Sequence, residues 1–194
     1  MPEKLSHKER THARIVEAAA SAMREHGWDG IGVAALMKRA GLTHGGFYAH
    51  FASRDELVEE AVDCMFKDTG AMLERCLHGK DGASGLAALI DFYLSDRLRK
   101  SVDRGCPLPG LTGEASRMPA AARARFDRGV RHFRQAITAA LTDMGRDDAQ
   151  SLASSVLAEM IGAMSLARAT PEEKEGRDIL HASRERLKER LGLA

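Results

Sequence analysis

The chain has 194 residues, 44% of them apolar, 29% charged and 5% aromatic, with a formal net charge of +1. That is the composition of an ordinary globular protein, large enough to bury about 70% of its extended surface without covalent or metal staples. It excludes a polycation, and three scattered cysteines (Cys64, Cys76, Cys106) exclude a disulfide framework. No apolar run approaches the ~20 residues that span a bilayer. The opening Met1 to Lys8 lacks the apolar core of a signal peptide, so a cytoplasmic location with no membrane partner is expected. Abundant Ala, Leu, Glu and Arg, only five prolines and no sustained apolar–polar alternation predict an all-α fold of about nine helices.

Residues 1 to 8 read as an unstructured, partly basic arm. From Lys8 or Glu9 a helix runs to His26, with Ile15, Ala18, Ala19, Ala22 and Met23 in one stripe. Gly27 ends it, Trp28 is placed to fold back on a small core, and Asp29-Gly30 is a turn. The stretch Val33 to Phe51 then splits around Ala40-Gly41-Leu42-Thr43. Its first piece puts Val33, Leu36, Met37 and Ala40 on one face; Gly41 supplies the positive φ that stops a helix without a Cβ clash. Thr43 is placed to cap a second helix, which Phe47 and Phe51 would anchor to the core. Helix, glycine turn and capped second helix make the helix-turn-helix arrangement.

Ser53-Arg54-Asp55-Glu56 is a capping box opening a long helix to about His78, striped by Leu57, Ala61, Met65, Thr69, Met72 and Cys76. That helix outruns a fifty-residue head and should join it mechanically to the rest. After Gly79-Lys80-Asp81-Gly82, one helix carries Leu86, Leu89, Ile90, Tyr93, Leu94 and Leu98 and ends before Gly105. Gly105 to Leu111 is dense in Pro and Gly yet apolar; a short helix fits Leu111 to Arg117. Pro119 suits the first turn of a helix to about Met144, with Phe126, Val130, Phe133, Ile137 and Leu141 inward. Asp147 and Asp148 open the next, whose band of Ala149, Leu152, Ala153, Val156, Leu157, Met160, Ile161, Met164 and Ala167 leaves small Ser154, Ala158 and Gly162 opposite. Thr170-Pro171-Glu172-Glu173 starts a last helix with Ile179, Leu180, Leu187 and Leu191.

Charge is uneven: residues 1–54 hold eight Lys and Arg against five Asp and Glu, with five histidines besides. A basic end on a balanced body suits contact with DNA through one end of the molecule. In detail, residues 11 to 57 resemble the DNA-binding head of the TetR family of bacterial one-component regulators. The matching features are Arg14-Ile15-Val16-Glu17-Ala18-Ala19, Gly27-Trp28, Ala40-Gly41-Leu42-Thr43, Gly45-Gly46-Phe47-Tyr48-Ala49-His50-Phe51 and Ser53-Arg54-Asp55-Glu56-Leu57. The remaining 140 or so residues match only in length and helical character. The resemblance implies a DNA-binding domain over 1–52 and an effector-binding and dimerisation domain over 53–194.

The resemblance also assigns roles. Thr43 would cap the recognition helix near a phosphate; His44, where the family usually has Lys, would touch a phosphate or base edge. Gly45 would let the backbone approach DNA beside Gly46, Tyr48 would face the groove, His50 and Arg54 would donate to phosphates, and Lys38 is a further phosphate candidate. The family commonly has Ser or Thr opening the second helix, an Arg two residues on, and Ser or Thr where Gly46 stands; Gly32, Ala34 and Gly46 leave the reading surface thin in polar groups. Tyr48 is then the best candidate for base contact, with DNA shape carrying much of the specificity. About seven phosphate contacts per dimer imply a slope of log K against log salt near −6. Two heads one helical turn apart, about 34 Å or a multiple, imply an inverted-repeat operator.

In the family the last two helices pair with their symmetry mates, which marks Leu152, Val156, Met160, Met164, Ile179 and Leu187 as a homodimer interface; the same residues could instead close the protomer's own core. The middle helices should enclose an apolar small-molecule effector, with Met72, Phe92, Tyr93, Leu108, Leu111, Phe126 and Phe133 as candidate lining residues, though each equally fits plain core. Cys106, in Arg104-Gly105-Cys106-Pro107, could be acidified by the guanidinium and a helix start into a sensor of oxidants or electrophiles, or be a small buried hydrophobe. His44 and His50 are badly spaced for a metal and no cofactor or catalytic motif is legible. The implied function is ligand-responsive transcriptional regulation, most simply repression relieved when an effector tilts the long helix. The alternatives are a thiol-based regulator acting through Cys106 and a small helical enzyme.

Overall fold

The structure is a computed structural model that describes residues 6–193. Nine α-helices occupy the described residues: α1 (His7–His26), α2 (Val33–Arg39), α3 (Arg54–Leu77), α4 (Gly82–Tyr93), α5 (Asp96–Lys100), α6 (Leu108–Leu111), α7 (Ala120–Asp143), α8 (Ala149–Ala169) and α9 (Glu173–Leu191). Two 3₁₀ segments, His44–Ala49 and Thr112–Arg117, complete them, and no strand is present among the described residues.

The long helix α3 is the organising element. Ser53 caps it by accepting from the Glu56 N–H at 3.1 Å, while the Glu56 carboxylate reaches back to the Ala52 N–H at 2.6 Å, one residue earlier than a capping box requires. All six stripe residues from Leu57 to Cys76 are buried. One flank of α3 packs on α1, the others on α4 and α7. α8 lies between α7 and α9, which is why it is apolar enough by composition to cross a membrane: Ala153, Val156, Met160, Met164 and Ala167 are wholly enclosed by its neighbours.

Several elements differ from the sequence expectation. α1 begins at His7, not in an unstructured arm, because Ser6 and Glu9 form a reciprocal capping box (Glu9 N–H to Ser6 Oγ 3.2 Å, Ser6 N–H to Glu9 Oε2 2.7 Å); residues 1–5 lie outside the described residues. The helix expected over Leu86 to Leu98 is two. Ser95 interrupts it, donating its hydroxyl to the Phe92 carbonyl at 2.7 Å and accepting from the Leu98 N–H at 3.2 Å to cap α5. The short helix expected from Leu111 is a turn of α-helix from Leu108 followed by 3₁₀ winding. Pro119 is the N-cap of α7, one position before the first turn.

Candidate nucleic-acid interface and effector cavity

The head is closed by its aromatics. Phe47 and Phe51 stack at 5.5 Å between ring centres and are fully buried, as their spacing predicts. Gly41 turns the chain at φ 69°, and the Leu42 N–H returns to the Met37 carbonyl at 2.9 Å. The element that follows is a single 3₁₀ stretch, not an α-helix. Thr43 holds the N-cap position with extended backbone, but its hydroxyl makes no capping bond; its carbonyl receives the Gly46 N–H at 3.1 Å. Two glycines at the start withhold helix propensity, and the wider α turn does not form. Tyr48 stands edge-on to Phe47 with 72% of its surface exposed, while Thr43, His44, Gly45 and Lys38 are also exposed on the head. Neither Gly45 nor Gly46 is demanded by packing, since a Cβ at either would meet nothing closer than 3.7 Å.

His50 and Arg54 are less free than expected. Nδ1 of His50 is buried without a partner, and its ring lies 6.0 Å from that of His12, which stacks on Phe51 and bonds Glu60 at 2.6 Å. Burial, then the neighbouring His12 and Lys8, hold the His50 pKa below the ordinary histidine value, so the ring is a weak phosphate donor near neutrality. The Arg54 guanidinium pairs with Asp29 at 2.8 Å, donates to the Trp28 carbonyl at 3.1 Å and lies 5.4 Å over the Trp28 ring. It staples the turn after α1 to the start of α3.

Two further ties bind head to body, and neither was legible from local sequence. Arg24, with only 4% of its side chain exposed, donates to Asp68 at 2.7 Å, to the Met65 carbonyl at 3.4 Å and to the Asp103 carbonyl at 3.2 Å. Glu114 accepts from the Trp28 N–H at 3.0 Å, and it sits so close to the end of α1 that a Cβ on Gly27 (φ 87°) would come within 2.8 Å of its carboxylate.

The family model described as bacterial regulatory proteins, tetR family, matches residues 15–61, from within α1 through the start of α3. An uncharacterized HTH-type transcriptional regulator of Mycobacterium tuberculosis is 31% identical over 103 residues, 53% of this chain and 52% of the relative. The regulator YvdT of Bacillus subtilis, likewise uncharacterized, is 30% identical over 100 residues, half of each chain. The similarity thus spans about half the length of the curated relatives. A TetR transcriptional regulator from Chloroflexus aurantiacus shares the fold over 93% of both chains, with a TM-score of 0.81 and 25% identity. The head of this chain thus carries the TetR-family segment, and the whole chain has the fold of a TetR regulator. E. coli NemR in its reduced form has the same fold at 18% identity, with a TM-score of 0.81 over 93% of this chain and 96% of that one.

In the body of the chain a cavity of about 260 Å³ opens between α3, α4, α5 and the loop before α6. Met72, Phe92 and Leu98 give it an apolar floor, and Asp68, Arg75 and Arg104 stand around it. Of the seven expected lining residues only Met72 and Phe92 reach it. Tyr93, Leu108, Leu111, Phe126 and Phe133 are packed into the core; Tyr93 and Phe133, for example, meet edge-to-face at 5.7 Å. At helical spacing the sequence could not separate a cavity wall from solid core.

Cys106 lines the cavity, and its surroundings fit the small buried hydrophobe and not the acidified sensor. Burial pushes its thiol pKa up, outweighing the Leu108 N–H that favours the thiolate; Arg104 is no help, with 88% of its side chain in solvent beside Asp103. Cys64 and Cys76 are shifted upward too, chiefly by burial. The Tyr93 hydroxyl, buried without a hydrogen-bond partner of good geometry, lies against the same sulfur.

The expected interface residues divide. Val156, Met160, Met164 and Leu187 are buried inside the protomer and have no surface to offer a second copy, while Leu152 and Ile179 are half-buried. A helix wedged between two neighbours is apolar over most of its circumference, which is why the periodic band overran the outer face. The outer face of α8 instead carries Ser151, Ser154, Ser155, Ala158, Gly162 and Leu166, the last 61% exposed.

Proposed function

We propose that this chain is a ligand-responsive, non-enzymatic transcriptional regulator that binds double-stranded DNA as a homodimer and acts as a repressor in the cytoplasm. Residues 1–52 would form its DNA-binding domain and 53–194 its effector-binding and dimerisation domain. One observation carries the reading: within the segment that matches the TetR family, Tyr48 projects from the short 3₁₀ element while Phe47 and the following Phe51 are buried beneath it. A large aromatic is held outward on a rigid base at the place where this arrangement meets the major groove. Tyr48 would touch base edges, and His44, Lys38 and the bared backbone at Gly45 and Gly46 would meet phosphates. Arg54 would join them by exchanging one anion for another, releasing Asp29 to take a phosphate while keeping the Trp28 carbonyl. Dimerisation would use the outer faces of α8 and α9, with Leu166, Leu152 and Ile179 as its apolar points. Effector in the cavity would act on DNA through α3 and the Arg24 tie.

The test is anisotropy of the purified chain with duplex DNA flanking its own gene, with mass measured by light scattering. A dimer binding an inverted repeat with a log–log salt slope near −6 is expected. A monomer indifferent to duplex DNA at low ionic strength would refute the proposal.

A further inference from the structure

The cavity has an uneven charge. Its one carboxylate, Asp68, is already matched by Arg24 at 2.7 Å. Its two guanidinium groups are not so matched: among the described residues Arg75, which is exposed, makes no side-chain ion pair, and Arg104 meets only its chain neighbour Asp103, at 3.5 Å in open solvent. A third cation stands one layer behind. Arg168 of α8 donates to the Leu98 carbonyl at 3.0 Å, its Nε is buried without a partner, and among the described residues it pairs with no carboxylate. It backs directly onto the cavity wall, since a Cβ on Gly105 would come within 2.9 Å of its Nη2. Burying a guanidinium without a counter-charge is costly, and a low-dielectric site in that condition attracts an anion.

The floor says what the rest of such an anion is. Met72, Phe92 and Leu98 offer apolar and aromatic surface, and about 260 Å³ is at the small end for a ligand pocket. We propose that the cavity takes a small amphipathic carboxylate, with its apolar body on Met72, Phe92 and Leu98 and its carboxylate held by Arg75 and Arg104 in the field of Arg168. Guanidinium suits this duty because its planar fork meets a carboxylate with two parallel hydrogen bonds. The effector is thus anionic at one end, where the sequence suggested an apolar molecule. Arg104 follows Asp103, whose carbonyl holds Arg24 of α1. A carboxylate drawing Arg104 inward therefore pulls on the loop that anchors the head.

This inference rests on the reading of the cavity as an effector site, and the experiment separates the two. The full-length chain is titrated calorimetrically with matched probes of one shape and different charge: 4-phenylbutanoate, 4-phenylbutanol and 4-phenylbutylamine, then benzoate and octanoate with their alcohols and amines. The carboxylate of at least one set should bind tenfold or more tightly than its alcohol, and the amine weakest. In the Arg75→Gln/Arg104→Gln double variant the carboxylate should fall to the level of the alcohol; Arg168→Met, checked for an intact unfolding transition, should lose affinity in the same direction. An alcohol or amine that matches its carboxylate, a double variant that binds carboxylate as the parent does, or no carboxylate binding at all would each overturn the proposal. Carboxylate binding that obeys the variants but leaves operator binding unchanged would uphold the ligand class and refute effector control of DNA binding.

Discussion

The Arg24–Asp68 pair joins the head to the body, and its two halves should not be equally replaceable. Arg24 is 4% exposed and Asp68 53% exposed at the side chain. Removing the cation as Arg24→Met leaves an aspartate that water can reclaim, and methionine refills much of the apolar stem. The loss is then chiefly the short charge-assisted bond to Asp68, roughly 2 kcal/mol, the bonds to the Asp103 and Met65 carbonyls being long at 3.2 and 3.4 Å. Removing the anion as Asp68→Asn leaves a guanidinium in a nearly dry site with two backbone carbonyls and no counter-charge. Stranding a buried charge costs about 3–5 kcal/mol, and the low end applies here because asparagine still offers a carbonyl. For a chain of this size roughly 2 kcal/mol corresponds to a melting shift of about 4–8 °C. Thermal unfolding of both variants therefore has a required order, Asp68→Asn melting below Arg24→Met. The Arg24→Met protein should also keep its operator affinity while losing much of its response to a cavity ligand, because the tie to the Asp103 carbonyl is gone. If Asp68→Asn is the milder change, the guanidinium is not dependent on that carboxylate and the coupling argument fails with it.

Other consequences can be checked separately. Tyr48→Ala should weaken operator binding tenfold or more, a base contact being worth about 1–3 kcal/mol, with stability within about 0.5 kcal/mol of the parent. Arg54→Ala should lower both, since Arg54 also staples Trp28 and Asp29; equal melting of the two variants would contradict this. Gly82→Ala places a Cβ 2.2 Å from the Ala140 carbonyl oxygen, a backbone atom that cannot swing aside. A loss of roughly 2–3 kcal/mol on thermal unfolding is expected, and a silent substitution would refute the close approach of α4 to α7. The depressed pKa of His50 means that the unfolded chain binds its proton more readily than the folded one. Its contribution is present above about pH 6.5, the free histidine value, and is lost as pH falls through that value toward the folded pKa; His50→Gln should flatten the fall in melting temperature on acidification. Cys106, with its thiol shifted upward, should react slowly with alkylators at neutral pH, and alkylator-induced release of DNA, if seen, should be unchanged in Cys106→Ala.

What could be read in advance was whatever is decided within a turn or two of chain. Gly27 and Gly41 stop their helices where expected, Ser53 caps α3, and the i, i+4 spacing of Phe47 and Phe51 places both in the core, because each outcome depends on neighbours in sequence. Two local signals were present and passed over: Ser6-His7-Lys8-Glu9 is a capping box hidden in a polar terminus, and Ser95-Asp96 is a cap inside an apolar stripe. Arg54, Arg24 and Glu114 belong to another class. Their partners lie 26, 44 and 86 residues away, and nothing in a local pattern marks which charged side chain will be used inside the fold. Periodicity likewise fails for α8 and for the cavity, since it reports that a residue faces something apolar without saying whether that is its own core, a second copy or an empty space.

The length of α3 has its own consequence. Met72 at the cavity and Arg54 at the head are eighteen residues apart on one uninterrupted helix, about 27 Å at 1.5 Å per residue. A rigid rod pivoting by roughly 6° about its cavity end sweeps its far tip through about 3 Å, the full span of a hydrogen bond. Under the proposed function, displacements of well under 1 Å beside a small molecule would thereby be geared up into a loss of register with a phosphate, with no softer hinge required.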